Sequence, residues 1–475
     1  MVLKFYNTLT RSVQEFAPTA TAGQPAGMYC CGPTVYDYAH IGNWRTFVFA
    51  DLVRRTLEFA GCHVRHVMNI TDVEDKIIRR VRENHTTLRE FTGKFEAAFF
   101  EDLKALNCRL PHVTPRATEH IPEIVALIER LVARGVAYPA GDGSVYFSIA
   151  KYRGCGCAYG QLLKLNLDEL RVGERVASDE YDKESVADFA LWKARVPEDG
   201  AVFWPSPWGD GRPGWHIECS AMSMKALGET FDLHLGGEDL KFPHHEDEIA
   251  QSEGATGKPF VKHWMHGAYL LVEGKKMSKS LGNFFTLRDL LAKGFTGRDV
   301  RYLLLTAHYR ETFNFTLEGL AGAKSRLGRI DECVGKLREL AATATPPATP
   351  APAGTPEATL LADFSAALAS DLNISAAWAA VAEWVRDTNK RMAENSLGAA
   401  GAAAALAAWD QVDSVLGVGA KPESEIPPEL QALLDARLAA RKARDFKQSD
   451  AIRDELKAKG WVIEDTPKGP KLKKI

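Results

Sequence analysis

One stretch near the start of the chain restricts its fold more than any other. Gly27-Met28-Tyr29-Cys30-Cys31-Gly32 reads as a short buried strand running into a glycine turn. From Trp44 to Ala60 apolar residues recur at helical spacing (Phe47, Val48, Ala50, Leu52, Val53, Leu57 and Phe59), and Gly61 stops the pattern. His63 to Ile70 then reads as a second strand. Strand, glycine turn, helix and strand describe a βαβ unit with the turn at the helix N-terminus. Free amides and the helix dipole make that position favourable for anions.

Two short motifs add chemistry. His40-Ile41-Gly42-Asn43 stands at that helix start, and Lys276-Met277-Ser278-Lys279-Ser280 follows past the middle of the chain. Each sets small or glycine residues beside a proton donor or a cation. Phosphate needs that combination, because backbone must approach closely while positive charge arrives from the side. His40 is sized to donate to phosphate oxygens as their charge builds, Gly42 lets a nucleotide lie against the backbone, and Asn43 adds a donor. Gly274 and Gly282 bracket the lysine loop as hinges, so Lys279 can close on phosphates while their charge is being redistributed. Either motif alone is a weak signal. In this order, with Gly32 and Pro33 upstream, they point to adenylate chemistry on ATP.

At 475 residues the chain is too long for one ordinary core, and about two to four domains are expected. Residues 116–200 are turn-rich and polar, and read as an insertion splitting the nucleotide-binding fold. The α/β pattern resumes at Phe231 to Gly237, a strand ending in two glycines. A helix from Pro243 through about Ser252 and a strand from Trp264 to Val272 follow. From Gly297 the chain reads as helical, with a Pro/Ala/Thr-rich linker over 341–358, a second helical stretch from about Leu360 to Leu416, and a link over 421–428. Residues 431–475 carry 12 Lys/Arg against 7 Asp/Glu, although the whole chain has a net charge of −3. A basic terminal module suggests a polyanionic partner, with Phe446 and Trp461 available for stacking on bases. The opening MVLKFYNTLTRSVQEF lacks the apolar core of a signal peptide, and no stretch approaches a membrane span. A cytoplasmic protein with no membrane partner is expected.

The eight cysteines read as reduced thiols or metal ligands rather than a disulfide framework. No Cys-x-x-Cys pair is present, so any metal site draws its ligands from distant segments. In His244-His245-Glu246-Asp247-Glu248, just inside the helix expected from Pro243, His244 and Glu248 share a face at four-residue spacing. Cys31 would lie near the carboxyl edge of the same sheet, and Cys219 occurs in Trp215-His216-Ile217-Glu218-Cys219-Ser220. Cys31, Cys219, His244 and Glu248 are a candidate mixed sulfur, nitrogen and oxygen zinc set. Spacing does not choose between His244 and His245. Cys155-Gly156-Cys157 has no partner ligands nearby in sequence and stays outside the set.

With these residues placed, the chain resembles the cysteinyl-tRNA synthetases, a family of class I aminoacyl-tRNA synthetases. The resemblance rests on Phe5 to Arg11, Gly32-Pro33-Thr34-Val35-Tyr36-Asp37, Asn69-Ile70-Thr71-Asp72, Asp188 to Lys193, Pro213 to Ser220, Phe242 to Glu246 and the Lys276 loop. It covers nearly the whole chain outside 341–358 and part of 395–430. It implies an α/β fold: a Rossmann-like parallel-sheet catalytic domain split by an insertion, then an α-helical bundle and a small C-terminal tRNA-binding module. The implied division is 1–115 and 201–296 for the catalytic domain, 116–200 for the connective insertion, 297–420 for the helical stem and anticodon-binding bundle, and 421–475 for a basic anticodon-recognition module.

The resemblance also implies a reaction. ATP and L-cysteine give cysteinyl-adenylate and diphosphate, and the cysteinyl group then passes to the 3′ end of tRNA(Cys). His40 and Asn43 would stabilise the α-phosphate, and Lys276 and Lys279 the leaving diphosphate. Gly32, Gly42, Gly237 and Asp239 would complete the ATP site, with Mg2+ accompanying ATP. One Zn2+ per subunit, on Cys31, Cys219, His244 and Glu248, would bind the substrate thiolate, and Thr71 and Trp215 would wall the amino-acid pocket. Zinc favours sulfur over a serine hydroxyl, whereas an apolar pocket separates near-isosteres by only about 1–3 kcal/mol. The family expectation is a monomer. One departure stands out: the class I motif most often ends in histidine where this chain has Asn43, which keeps a donor but cannot be cationic. Strand alternation sends Cys30 and Cys31 to opposite faces, and the motif selects Cys31.

Two rival readings remain at this level. A ligase joining cysteine to an amino sugar would share the ATP and zinc motifs, yet would not need a basic terminal module. An inactive RNA-binding paralogue would not need intact His40, Lys279 and all four candidate ligands.

Overall fold

Four strands lie side by side in the order Val261–Gly267, Phe231–Gly237, Ala26–Cys30 and Val64–Met68, all parallel. The structure is a computed structural model and describes residues 1–18, 24–163, 188–278, 281–344, 351–420, 428–466 and 469–474. Lys279, residues 164–187 of the insertion, residues 345–350 of the linker and the link 421–427 lie outside the described residues. The two central strands, Ala26–Cys30 and Phe231–Gly237, are buried along their whole length, because helices cover both faces of a parallel sheet.

Register decides what each face carries. Tyr29 pairs with His234, and His234 with Trp264; two residues on, Gly236 pairs with His266. Tyr29, Cys31 and Trp264 pack in one core cluster together with Cys219 and Ile249. Met28, Cys30, Leu233, Leu235 and Met265 pack in another, against the helix Ile41–Phe59. The adjacent cysteines do face opposite ways.

The crossover helix spans Ile41–Phe59 with His40 as its N-cap, so the first motif stands at the helix N-terminus as expected. Asn43 N–H donates to His40 Nδ1 (3.2 Å) and His40 N–H donates to Asn43 Oδ1 (3.0 Å), a reciprocal capping box. Such caps contribute about 0.5–2 kcal/mol. Two further helices, Trp215–Leu227 and Glu246–Thr256, lie over the Tyr29 face. The helix expected from Pro243 follows a kink at Phe242, the one residue of Lys241–His245 with extended backbone, and helical backbone continues from Pro243 into Glu246–Thr256. The strand expected over Trp264 to Val272 is two, Val261–Gly267 and Leu270–Val272.

Residues 137–213 build an antiparallel sheet of their own, ordered Ala137–Pro139, Val145–Phe147, Phe189–Ala194 and Gly211–Pro213, the last strand lying beyond the expected 116–200 insertion. Its last strand feeds directly into the Trp215–Leu227 helix. Beyond the parallel sheet, the helices Gly297–Leu304, Leu317–Ala341, Pro356–Ala369, Ile374–Ala393 and Ala399–Leu416 share one continuous core with Ile41–Phe59. A buried ion pair crosses that junction: Arg301, fully buried, meets Asp51 at 2.6 Å and donates to the Leu416 carbonyl at 2.6 Å.

Residues Gly419–Ile475 are a second compact unit. Within it, helices Pro428–Lys442 and Phe446–Ala458 and a hairpin of Trp461–Thr466 with Gly469–Lys474 enclose Leu434, Ile452, Leu456, Trp461 and Leu472. Trp461 is therefore a core residue of this unit and not a free stacking surface; Phe446, 63% exposed, is one. Among the described residues no helix is long and apolar enough to cross a membrane.

Candidate active site and metal centre

A cavity of about 520 Å³ opens at the carboxyl edge of the parallel sheet. Its lining includes Cys31, Gly32, His40, Asn43, Trp215, Gly237 and Asp239, so residues proposed from four separate stretches converge on one space. Gly32 is obligatory there: a Cβ would sit 1.7 Å from the Asn69 carbonyl oxygen. Asn69 stood in a motif that carries the resemblance but was given no role, yet its Oδ1 accepts from Gly32 N–H (2.8 Å) and its Nδ2 donates to Thr71 Oγ1 (3.1 Å). Thr71 itself is buried and does not line the cavity. The Asp239 carboxylate folds back over Gly237, where a Cβ would lie within 2.3 Å of Oδ1.

The two phosphate motifs touch. Ile41 N–H donates to the Phe285 carbonyl (2.9 Å), His40 pairs with Thr286 as an antiparallel bridge, and the His40 ring meets Phe284 edge-on at 5.4 Å. A Cβ on Gly42 would come within 3.3 Å of Met277 Cε. Lys276 is exposed on a short strand, Lys275–Lys276, paired with Leu271 and Val272. Asn283 staples the loop behind it: Ser278 N–H donates to its Oδ1 (2.8 Å) and its Nδ2 donates to the Lys276 carbonyl (3.2 Å). Gly274 and Gly282 both take left-handed backbone, φ +73° and +64°. With Nδ1 accepting the Asn43 amide, the His40 ring proton belongs on Nε2.

Below the cavity the sulfur, imidazole and carboxylate groups gather. Cys31, Cys219, His244 and Glu248 are all buried, and one ligand atom from each lies within 4.8 Å of the others. Cys31 Sγ stands 3.9 Å from Cys219 Sγ and 3.6 Å from Glu248 Oε1, and His244 Nε2 stands 3.1 Å from Glu248 Oε1. A tetrahedral ion held at about 2.3 Å from sulfur and 2.0–2.1 Å from nitrogen or oxygen spaces its donors roughly 3.4–3.8 Å apart, so the set fits zinc. The His244 ring is held from outside by His216, Nδ1 to Nδ1 at 2.8 Å, and Trp215 lies over it at 4.5 Å. Outer partners of this kind orient metal-binding imidazoles. Histidines 234 and 266 were missed as contributors, because a histidine inside an unalternating buried strand carries no periodic signal; His245 stood only as the alternative to His244, and His216 only as part of its motif.

The electrostatics agree with a cation-binding floor. Burial pushes the Glu248 carboxyl up, but His234 and His244 outweigh it and hold it at about 2. The Cys31 thiol's hydrogen bond lowers Cys219 to about 6 against burial, with His244 helping. Burial works against the His244 cation, yet Cys219 and Glu248 carry it up to about 10. Cys30, on the far face, is raised by burial to about 12 and belongs to the apolar core. Cys155 is exposed and Cys157 half-buried; among the described residues neither joins a metal-binding group.

Residues 19–325 match the family of class I (C) tRNA synthetase catalytic domains, and residues 423–470 match the cysteinyl-tRNA ligase anticodon binding domain. The cysteine–tRNA ligase of Chlamydia muridarum is 46% identical over 489 residues, covering 100% of both chains. That of Protochlamydia amoebophila is 47% identical, covering 99% of this chain and 98% of the relative. Among solved structures, the methionyl-tRNA synthetase of Mycobacterium tuberculosis in complex with methionyl-adenylate matches with TM-score 0.59 at 15% identity, covering 82% of this chain and 90% of its own. The leucyl-tRNA synthetase of Agrobacterium radiobacter, in a ternary complex, matches with TM-score 0.58 at 12% identity, covering 85% and 84%. At such identities the likeness is one of fold.

Proposed function

The chain belongs to the cysteine–tRNA ligase family of class I aminoacyl-tRNA synthetases, an enzyme family, and on that premise we propose which of its residues carry each step. The reaction begins when the cysteine carboxylate attacks the α-phosphorus of ATP and diphosphate leaves. The 2′- or 3′-hydroxyl of the terminal adenosine of tRNA(Cys) then displaces AMP from the adenylate. The observation that supports this most is the single cavity shared by the His40 helix start, Gly237 and the Cys31 edge of the metal floor.

His40 Nε2–H donates to the α-phosphate as its oxygens gain charge. Asn43, whose Oδ1 is spent on the cap, offers Nδ2 to the same group. Asparagine at this place keeps both the cap and the donor, so the motif loses a cation without losing a hydrogen bond. Lys276 and Lys279 bind the departing diphosphate, and Gly237 and Asp239 contact the ribose. Mg2+ arrives with ATP as part of the substrate. Cys31, Cys219, His244 and Glu248 would hold zinc; when bound, it supplies a thiophilic electrophile that separates cysteine from serine. Trp215 shields that floor from water, and Thr71 with Asn69 keeps the Gly32 edge in place.

In this reading, residues 1–115 and 201–296 form the catalytic domain around the 116–200 insertion, 297–420 the stem and bundle, and 421–475 the anticodon module. A matched anticodon-binding segment favours tRNA over an amino-sugar acceptor. Cysteine-dependent ATP–diphosphate exchange together with charging of tRNA(Cys) tests the reading. Both are expected, with serine at least about a thousandfold poorer. Exchange supported equally by serine, or cysteinyl transfer to a sugar alone, would overturn it.

A further inference from the structure

The metal floor contains a second donor set that the first does not use. Cys31, His234, His245 and Glu248 are all buried, and one ligand atom from each lies within 4.8 Å of the others. Cys31 Sγ is 3.3 Å from His245 Nε2 and 3.6 Å from Glu248 Oε1; His245 Nε2 is 4.0 Å from Glu248 Oε1; His234 Nε2 is 2.9 Å from Glu248 Oε2. The edges around Cys31 are those a tetrahedral ion on sulfur, nitrogen and oxygen would impose, roughly 3.4–3.6 Å. Cys31 and Glu248 belong to both sets, so the sets share an edge.

The histidines of the inner set stand as ligands do. His245 Nδ1 meets His266 Nε2 at 2.8 Å, and His266 Nδ1 meets Thr8 Oγ1 at 2.8 Å, an outer chain that fixes the ring and leaves Nε2 aimed at Cys31. Room for that ring is provided by Gly236, where a Cβ would lie 2.5 Å from His245 Cε1. His234 is clamped flat against Trp264 at 4.5 Å, with Nε2 toward Glu248 and, among the described residues, no hydrogen-bond partner on Nδ1. Of these four residues only Cys31 lines the cavity.

We infer that Cys31, His234, His245 and Glu248 form a second, inner position for a divalent ion of zinc's ligand preference, entered when the Cys219 and His244 arm is lost. This rests on the reading that the floor binds zinc. Because His234 lacks an outer partner, the inner position is the weaker by about 10–100-fold in affinity. It is also away from the cavity, so an ion held there stays with the protein but does not reach substrate.

The test measures metal content and the absorption of the Co2+-substituted full-length protein, alongside cysteine-dependent exchange. Wild type should hold one ion per chain with the sulfur-to-cobalt absorption of two thiolates; a wild type that holds none would refute the zinc reading itself. Cys219→Ala should still hold one ion, about 10–100-fold more weakly, with the absorption of one thiolate and with exchange lost. Adding His234→Ala or His245→Ala to Cys219→Ala should release it, whereas His234→Ala alone keeps the two-thiolate spectrum. A folded Cys219→Ala that takes up no Co2+, or double variants that hold it as well as the single one, would overturn the inner position. Should Cys219→Ala not fold, His244→Ala in its place leaves the inner set intact and must give the same pattern upon adding His234→Ala.

Discussion

The floor of the cavity and its phosphate side are built by opposite means. Cys31, Cys219, His234, His244, His245 and Glu248 are at most 8% exposed and are cross-linked to one another and to outer partners such as His216 and His266. Lys275 and Lys276 are exposed, on a turn with positive φ at Glu273 and Gly274, stapled from behind by Asn283. A floor of that kind is organised before substrate arrives, which suits discrimination between sulfur and oxygen. Cations on an open loop make their contacts only when charge develops on the leaving group, which suits acceleration. Selectivity and rate are thereby separable, and substitutions on the two sides should separate them.

The sharpest break is Cys31→Ala, which removes a donor common to both sets. It should strip the metal and lower kcat/KM for cysteine in the exchange reaction by about 10³-fold, with KM for ATP little changed. Metal analysis and exchange kinetics read both; full metal occupancy in this variant would erase the contrast. Next comes Lys279→Ala, expected to lower kcat of activation by about 10²-fold while zinc content and the preference for cysteine over serine stay as in wild type. A collapse of ground-state ATP affinity instead would move the lysine from transition-state binding to substrate binding.

A subtler probe of the floor is Gly236→Ala. The added methyl meets the His245 ring, whose Nε2 stands 3.3 Å from the shared donor Cys31, and displacing it should weaken metal affinity by about 10-fold at a stability cost of about 1–3 kcal/mol. Competitive chelator titration and thermal melts measure the two. The smallest effect is expected for Asn283→Ala. Losing the staple behind Lys276 should reduce kcat by about three- to tenfold and leave metal binding untouched, since a neutral hydrogen bond contributes about 0.5–1.5 kcal/mol. Metal loss from the Asn283 variant would mean that the two sides are coupled after all.

How much of this was legible depended on the range of the signal. The first βαβ unit and the glycine turn are local, and helical and strand spacing revealed them; the His40 cap at the helix start went unread, because a histidine N-cap is an uncommon signature. The kink at Phe242, just ahead of the helix read from Pro243, was not legible, since extended backbone at a single apolar residue leaves no mark in the pattern. Trp461 looked like a stacking surface because aromatic residues near basic ones suggest RNA. In a unit this small, its ring is needed to fill the core with Leu456 and Leu472.

The chain's order of residues by itself determined the fold class, the two phosphate motifs, and Cys31, Cys219, Glu248 and one of two adjacent histidines as a candidate donor set. Periodicity and motif chemistry act over a few residues, so they can be read in one dimension. The tertiary structure alone decided that the Lys276 loop abuts Gly42, that Asn69 rather than Thr71 meets the Gly32 edge directly, and that His234, His245 and His266 line up behind Cys31. Those facts arise from strand register and helix packing, where residues far apart in the chain are brought within bonding distance by burial that no local pattern records.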